Sequence, residues 1–396
     1  MKKELVFIIA GEKSGDKLGA EVMSSLKKKN PNLTFAGVGG SLMQASGIET
    51  LFDIEELSIM GFVEILPKLN RLLQLKNMLV NEVLSSNPIC VITIDSPDFC
   101  FRVAKKIKKR NPSIKTIHYV APSLWAWRSN RGYKIVKYID HVLTLFPFEP
   151  QVLSKYGINS EFVGHPISLL KPISEDRIID FRKKYGLTQK DLLLILLPGS
   201  RVSEVKRILP VFLESLELLN LPKLKIMLPV PNSVIKCVDL LIANSPLDIK
   251  LFSEDPENGS DFELKKSEIF SAADVAIAAS GTVTLELAAY NTPMVVGYDV
   301  NWVSRQIISI LLKINHISLV NIILDKKLVP EYVGGNFKAN LIASELNRLV
   351  VDEALRNEQK RGFSELMQLL NNSGSQPPTK AGDIIYGLLK KWHLVS

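Results

Sequence analysis

The residues of this chain best suited to chemistry sit where apolar runs stop. The run Leu192–Leu197 ends in Pro198-Gly199-Ser200-Arg201. A glycine lets backbone approach a ligand closely, a serine hydroxyl donates, and a planar guanidinium matches phosphate oxygens. Glu204 falls in the first turn of the helix expected next, where it caps that helix or restrains Arg201. A second turn, Ser280 to Glu286 (SGTVTLE), follows the run VAIAAS. Ser280, Gly281 and Thr282 can converge donors on an anion, and Glu286 is spaced to accept hydroxyl hydrogen bonds, as a ribose would offer. Together these turns point to a site for a diphosphate and a ribose. The alternative is that the serine and threonines only cap a helix and Arg201 caps a surface turn.

Two earlier turns offer carboxylates. Gly11–Asp16 (GEKSGD) closes the first apolar run, and Glu12, Ser14, Gly15 and Asp16 suit sugar hydroxyls better than a phosphate. Ser14 or Asp16 capping a helix is the plainer reading. Ile94–Phe99 (IDSPDF) places Asp95 and Asp98 at the end of another run, with Pro97 stiffening the turn. A carboxylate beside apolar residues tends toward a raised pKa and can take a proton from an attacking hydroxyl. Both aspartates capping the next helix is the alternative. His118 is a further base candidate, set against a hydrogen-bonded core histidine.

Other chemistries lack their residues. The chain contains no G-x-x-x-x-G-K-[ST] and no G-x-G-x-x-G at these turns, which disfavours ATP-type phosphoryl transfer and nicotinamide binding. Its three cysteines, Cys90, Cys100 and Cys237, are far apart, and its five histidines form no H-x-x-x-H pair. No metal and no cofactor are expected, and a reducing compartment fits.

The elements that must hold these turns follow from periodicity. Apolar runs begin at Leu5, Cys90, Thr116, His141, Leu192, Leu224, Val275 and Met294. Several are apolar at consecutive positions, as strands covered on both faces are. Amphipathic segments such as Gly19–Lys28, Phe101–Arg110 and Ile208–Leu219 alternate with them. The pattern predicts an α/β chain of doubly wound units. The strand–turn–helix read from Leu5 recurs from Leu192, which suggests two Rossmann-like domains in tandem. Gly164–Ile178 reads as the linker, and polar loops are expected from Ser253 (SEDPENGSD) and from Asn371 (NNSGSQPPTK), with a last helix over Ala381–Trp392. The expected division is an N-terminal domain over 1–168 on the acceptor and membrane side, a donor-side domain over 169–345, and C-terminal helices over 346–396 packing across both.

Composition narrows the partners. At 396 residues with 46% apolar and 23% charged, the chain is globular and long enough for two cores. The formal charge of +8 suits a nucleotide, an anionic membrane surface or nucleic acid. No apolar run reaches the length of a spanning helix, so membrane contact would be peripheral. Met60–Leu84 is the longest amphipathic candidate: Pro67 suits a helix start, Leu69, Leu72, Leu73, Leu79, Val80 and Val83 recur near helical spacing, and Lys68, Arg71 and Lys76 add charge. A core-facing helix with one wet side explains it equally well. Ser123–Lys134 mixes tryptophans with basic residues, which fits base stacking, a wall for an acylated sugar, or ordinary packing.

Taken in chain order, AGEKSGD, GVGGSLMQASGIETLFDIEELSIMGFVEILPKL, IDSPDF, HYVAPSLWAWR, FVGHP, LLPGSRVSEV, AASGTVTLELA, PMVVGY and SLVNIIL resemble the lipid-A-disaccharide synthase family over almost the whole chain. The resemblance implies the GT-B architecture, in which two Rossmann-like domains face a central cleft. It implies an inverting, metal-independent hexosyl transfer from UDP-2,3-diacylglucosamine to 2,3-diacylglucosamine 1-phosphate (lipid X), releasing UDP. It implies a Gram-negative, cytoplasmic enzyme, peripheral on the inner face of the inner membrane, without nucleic acid as partner and with a homodimer left open. By resemblance Asp98 is the base and Arg201 the essential arginine. Ser280, Gly281, Thr282, Glu286 and Asn321 match the uridine-diphosphate pocket, and Glu12, Ser14 and Asp16 the loop facing the cleft. Lys13, Cys100 and Val320 depart from the family's usual residues, and Cys100 removes a polar contact expected near the base. Another UDP-N-acetylglucosamine-using enzyme of this architecture, a 2-epimerase or a peptidoglycan transferase, is the competing reading. A basic RNA- or membrane-binding protein without catalysis is the reading from a different class.

Overall fold

The computed structural model describes residues 4–57, 62–126, 129–188, 190–219, 221, 223–253, 259–299, 316–371 and 376–395. They form two compact units: Met1–Pro166 with Leu370–Ser396, and Ile167–Leu369.

The first unit contains strands β1 (Glu4–Ala10), β2 (Leu33–Val38), β3 (Ile48–Thr50), β4 (Cys90–Ile94), β5 (Lys115–Tyr119), β6 (His141–Thr144) and β7 (Ser160–Phe162). Helices α1 (Lys13–Lys29), α2 (Ser41–Ala45), α3 (Phe62–Ser86), α4 (Pro97–Arg110), α5 (Gly132–Ile135) and α6 (Glu149–Ser154) connect them. Among the described residues the sheet order is β3-β2-β1-β4-β5-β6-β7, and every pairing is parallel. The consecutive apolar residues of β1 and β4 explain their central place. Val6 to Ala10 and Cys90 to Ile92 are fully buried, as strands sandwiched between helix layers must be. Each large side chain so buried contributes roughly 1.5–3 kcal/mol.

The second unit contains α7 (Glu175–Lys184), β8 (Leu192–Leu197), α8 (Val202–Glu217), β9 (Leu224–Val230), α9 (Ile235–Ile242), β10 (Ile249–Ser253) and α10 (Gly259–Ala272). It continues with β11 (Val275–Ala278), α11 (Val283–Ala289), β12 (Met294–Tyr298), α12 (Leu319–Leu324), β13 (Glu331–Val333), α13 (Ala339–Val351) and α14 (Glu353–Asn371). Its sheet runs β10-β9-β8-β11-β12-β13, again with parallel pairs only. The last helix, α15 (Pro377–Lys391), belongs to the first unit and packs on α1, burying Ala381, Ile385 and Leu389 in that unit's core.

Both sheets reverse their winding beside their first strand. In the first unit β1 has β2 on one side and β4 on the other; in the second, β8 has β9 and β11. Connections leave such a pair in opposite directions, which opens a crevice at the strands' carboxyl ends. The turns singled out from the sequence are the ones at these ends: Gly11–Asp16 and Asp95–Asp98 in the first unit, Pro198–Arg201 and Ala279–Thr282 in the second.

Several expectations change. Strands β2, β3, β7, β10 and β13 were not among the apolar runs, because they lie toward the sheet edges, are short or half exposed, and carry few consecutive apolar residues. Helix α3 begins at Phe62, so Pro67 lies inside it and not at its start. Helix α10 begins at Gly259, within the loop expected from Ser253, whose residues 254–258 lie outside the described residues, as do 372–375 of the later loop. Of the Met60–Leu84 segment, residues 60–61 and the side chains of residues 62–69 lie outside the description. Beyond them Leu75, Leu79, Val80 and Val83 enter the core, leaving Leu73 and Met78 exposed, while Arg71 forks onto Glu56 at 2.6 and 3.0 Å. Among the described residues no helix is long and apolar enough to cross a membrane.

Candidate active site

The turn after β8 is shaped by one glycine and one glutamate. Gly199 has φ +111°, and a Cβ there would lie 2.9 Å from Glu204 Oε2 and 3.1 Å from Glu204 Cβ. Only glycine fits both the conformation and the contact. Arg201 stands at the N-cap of α8 in an extended conformation, its side chain 58% exposed. Its Nη1 is 3.4 Å from Glu204 Oε1, and the Tyr298 hydroxyl donates to the same oxygen at 3.5 Å. Glu204 therefore ties the turn to the end of β12 and restrains Arg201. Burial, and then the Glu204 carboxylate, push the Tyr298 hydroxyl pKa upward. The first turn of α8 adds N–H groups that no helical carbonyl can reach, with the positive end of the helix dipole.

The turn after β11 faces the same cavity. Gly281 has φ +157°, and a Cβ there would meet nothing within 4 Å. The Ser280 hydroxyl donates to Ile317 O at 2.8 Å and Thr284 Oγ1 to Gly281 O at 2.8 Å, while the Thr282 side chain makes no capping bond although Thr282 is the N-cap. The hydroxyls at 280 and 284 thus stiffen the turn instead of capping α11. Glu286 projects from α11 and forms an ion pair with Lys266 of α10. The cleft has a volume of about 480 Å³, within the range of small-molecule sites. Gly199, Ser200, Arg201 and Glu204 line one side; Ser280, Gly281, Thr282 and Glu286 line the other. Lys266, Phe262 and Tyr298 also line it, and sequence reasoning missed them. Tyr298 closes the MVVGY run and could have been found there. Lys266 and Phe262 sit on a helix with little amphipathic pattern, and nothing local marked them.

Asn321 is elsewhere. It is fully buried, its Nδ2 donating to Val329 O at 2.8 Å and its Oδ1 accepting from Leu328 N and Val329 N at 2.9 Å each. Its amide is committed to holding the 328–329 segment, and it does not line the cleft.

In the first unit, Gly11 and the Asp95-Ser96 step interlock. Gly11 N donates to Ile94 O at 3.1 Å, and a Cβ on Gly11 would lie 2.2 Å from Ser96 Cβ. Asp95 and Ser96 both have positive φ, +57° and +42°. Non-glycine residues held this way cost roughly 1–3 kcal/mol each and mark candidate functional turns. Asp95 Oδ1 accepts from Ser96 N at 2.8 Å and Oδ2 from Ser14 Oγ at 3.2 Å; Ser96 Oγ donates to Glu12 Oε1 at 3.3 Å. The structure thus brings Glu12, Ser14, Asp95 and Ser96 together. Gly15, in the first turn of α1, lies beside the ends of β1 and β4, where a Cβ would be in ordinary contact with Ala10 Cβ and Ile94 O at 3.4 Å. Asp98 follows in the first turn of α4, its side chain 68% exposed and its Oδ1 2.9 Å from Arg131 Nη2. Its surroundings are therefore open and ion-paired, not apolar as expected.

Two candidates are engaged within the fold. Asp16 is buried, and its carboxylate accepts Gly40 N, Leu42 N and Met43 N at 2.8–3.1 Å, capping α2. His118 is fully buried, with Nδ1 2.8 Å from Thr93 Oγ1 and its ring 4.5 Å from that of Phe101. Burial drives its pKa down to about 3, so it is neutral at ordinary pH and reads as a core histidine. Cys100 is also buried, and burial raises its thiol pKa. Trp125 donates to the buried Glu149 at 3.3 Å and meets Phe148 edge-on at 5.4 Å, whereas Trp127 lies outside the described residues. Among the described residues, no group of three or more His, Cys, Asp or Glu is placed to hold a metal.

Comparison with known proteins agrees with this architecture. The family model described as Lipid-A-disaccharide synthetase matches residues 6–385. The lipid-A-disaccharide synthase of Ruegeria pomeroyi is 40% identical over 382 residues, covering 96% of this chain and 94% of that one. The Rhodospirillum centenum enzyme of the same name is 36% identical over 394 residues, covering 99% and 96%. In fold, the chain is similar to a glycosyltransferase from Rickettsia africae (TM-score 0.61, 14% identity, 100% of both chains). It is also similar to a UDP-GlcNAc 2-epimerase from Neisseria meningitidis (TM-score 0.63, 15% identity, 98% and 100%). These structural likenesses carry the fold of two Rossmann-like units seen in GT-B glycosyltransferases. The near-complete family match and relatives above 35% identity carry more: the chain belongs to the lipid-A-disaccharide synthase family, the glycosyltransferases that form the lipid A disaccharide.

Proposed function

We propose that the second unit's cleft binds the UDP part of UDP-2,3-diacylglucosamine and that the sugar is transferred, with inversion, to lipid X. One observation carries this reading: Arg201 and Glu286, from the two turns flanking the sheet's switch point, line one cavity of nucleotide size. The diphosphate lies against Arg201 and the amides beside Gly199 and Gly281, and the ribose hydroxyls donate to Glu286. Direct displacement at the anomeric carbon places negative charge on the departing diphosphate. Fixed donors aimed at that charge lower the barrier, each worth about 10²–10³ in rate. Glu204 keeps Arg201 in place for this role.

Asp98 is the proposed base, taking the proton from the acceptor hydroxyl as it attacks. Its exposure and its place at the carboxyl end of the first unit's sheet support this, and Arg131 orients the carboxylate. Glu12, Ser14 and Gly15 belong to the acceptor side, where hydroxyls of the sugar meet the Glu12–Ser96–Asp95 network. Asp16 and Asn321 act on binding only through the segments they hold. Since both substrates are lipids, the enzyme works at an anionic membrane surface as a peripheral protein, and the +8 charge supports that docking.

Turnover measured by mass spectrometry with acylated and unacylated UDP-glucosamine tests the reading. Product from the acylated donor with lipid X is expected. Turnover of the unacylated donor alone would favour an epimerase-like or other transferase activity.

A further inference from the structure

One polar contact lining the cleft is made by a residue that no sequence motif marks. Lys266 extends from α10 to the Glu286 Oε2 atom, and both side chains are largely withdrawn from water, 20% and 22% exposed. Its Nζ also lies over the Phe270 ring, 5.5 Å from the ring centre. Phe262, one helical turn earlier on the same face, lines the cleft as well. An ammonium held between a carboxylate and a ring face in this way has a restricted donor direction.

We infer that Lys266 is a positioning residue for nucleotide selection: it holds the Glu286 carboxylate so that the opposite oxygen is presented to a ribose. This rests on the placement of the ribose at Glu286 proposed above. A carboxylate can accept about four hydrogen bonds, so the ammonium on Oε2 leaves Oε1 open. The ammonium also cancels a negative charge that would otherwise repel a diphosphate bound in the same cleft. Without it, a half-buried carboxylate is uncompensated and turns toward water. Selection of ribose over deoxyribose is then a property of the pair and not of Glu286 alone.

Calorimetric titration of the full chain with UDP and with 2′-deoxy-UDP tests this, comparing the native protein with K266M, K266R and E286A. A hydrogen bond to a charged acceptor corresponds to about tenfold or more in affinity. The native protein is expected to prefer UDP over the deoxy form by about that factor. K266M should bind UDP about tenfold more weakly, with the preference falling to near parity, and K266R should keep the preference. Should K266M be poorly folded, K266R and K266Q carry the comparison. If K266M or K266Q retains the native preference, the inference is overturned while the ribose placement stands. If the native protein shows no preference, or E286A keeps it, the ribose placement itself fails and the inference with it.

Discussion

Arg131 Nη2 lies 2.9 Å from Asp98 Oδ1 and donates to the Pro97 carbonyl at 3.1 Å, clamping the first turn of α4 through both its carboxylate and its backbone. The guanidinium also sits 5.1 Å above the Phe101 ring. A carboxylate so exposed would otherwise sample several rotamers. The clamp fixes one.

Asp98→Asn keeps the shape of the side chain and removes its proton affinity. We expect kcat to fall by about 10²–10⁴ with little change in melting temperature, because the group is exposed. Arg131→Met should cost about tenfold in kcat by loosening the same carboxylate. Steady-state assays alongside thermal melts check both; a D98N variant with native kcat would remove Asp98 from the chemistry.

Arg201 is the proposed partner of the leaving diphosphate. Arg201→Ala is expected to lower kcat by about 10²–10³. Arg201→Lys should recover only part, since an ammonium lacks the planar fork. UDP affinity measured in parallel should drop for both. Gly199→Ala should weaken UDP binding too, through the forced φ and the displaced Glu204.

Asn321 separates structure from binding. Asn321→Ala leaves the Leu328 and Val329 amides and the Val329 carbonyl without their buried partner. A loss of about 2–4 kcal/mol in unfolding free energy is expected, with KM near native in the folded fraction. Denaturant melts and kinetics together decide it: a KM effect without a stability effect would make Asn321 a ligand contact.

Glu149 gives a pH signature. Burial pushes its carboxyl pKa up to about 7, against lowering by hydrogen bonds from Phe146, Trp125 and Leu145. A raised folded pKa means the folded state holds the proton longer than the unfolded chain. Its contribution to stability is therefore full below the ordinary carboxyl pKa near 4.5 and is lost as pH rises to 7. The size is about 3 kcal/mol. His118 and His165, lowered by burial to about 3 and 4, act with the opposite sign below pH 6.5, so the native slope alone does not isolate Glu149. Denaturant melts of Glu149→Gln and native protein from pH 4.5 to 7 should differ by a gap that shrinks, and then changes sign in favour of the variant, as pH rises. A gap constant with pH would contradict the assignment.

What the sequence disclosed, and what it hid, follows from where interactions are local. β1, β4, β8 and β11 announce themselves because strands covered on both faces need consecutive apolar residues, and the turns after them carry the candidate site residues. Arg201 and Glu204 are three residues apart, so their relation was readable. Asp16 looked like a ligand contact because its type and turn position suit both roles, and Asn321 was a candidate through the family resemblance alone. Asp16's partners are the amides of residues 40–43, and only the packing of α2 brings them near. Lys266 reaches Glu286 from another helix, so no short window contains the pair. Edge strands such as β10 and β13 stay half exposed and lose the apolar run that marks a central strand.

The most direct measurement is a crystal structure with UDP bound. The account predicts the β-phosphate within hydrogen-bonding distance of the Arg201 guanidinium and the ribose hydroxyls on Glu286, inside the cleft formed by the turns after β8 and β11. A nucleotide lodged elsewhere, with Arg201 extended into bulk solvent, would contradict it.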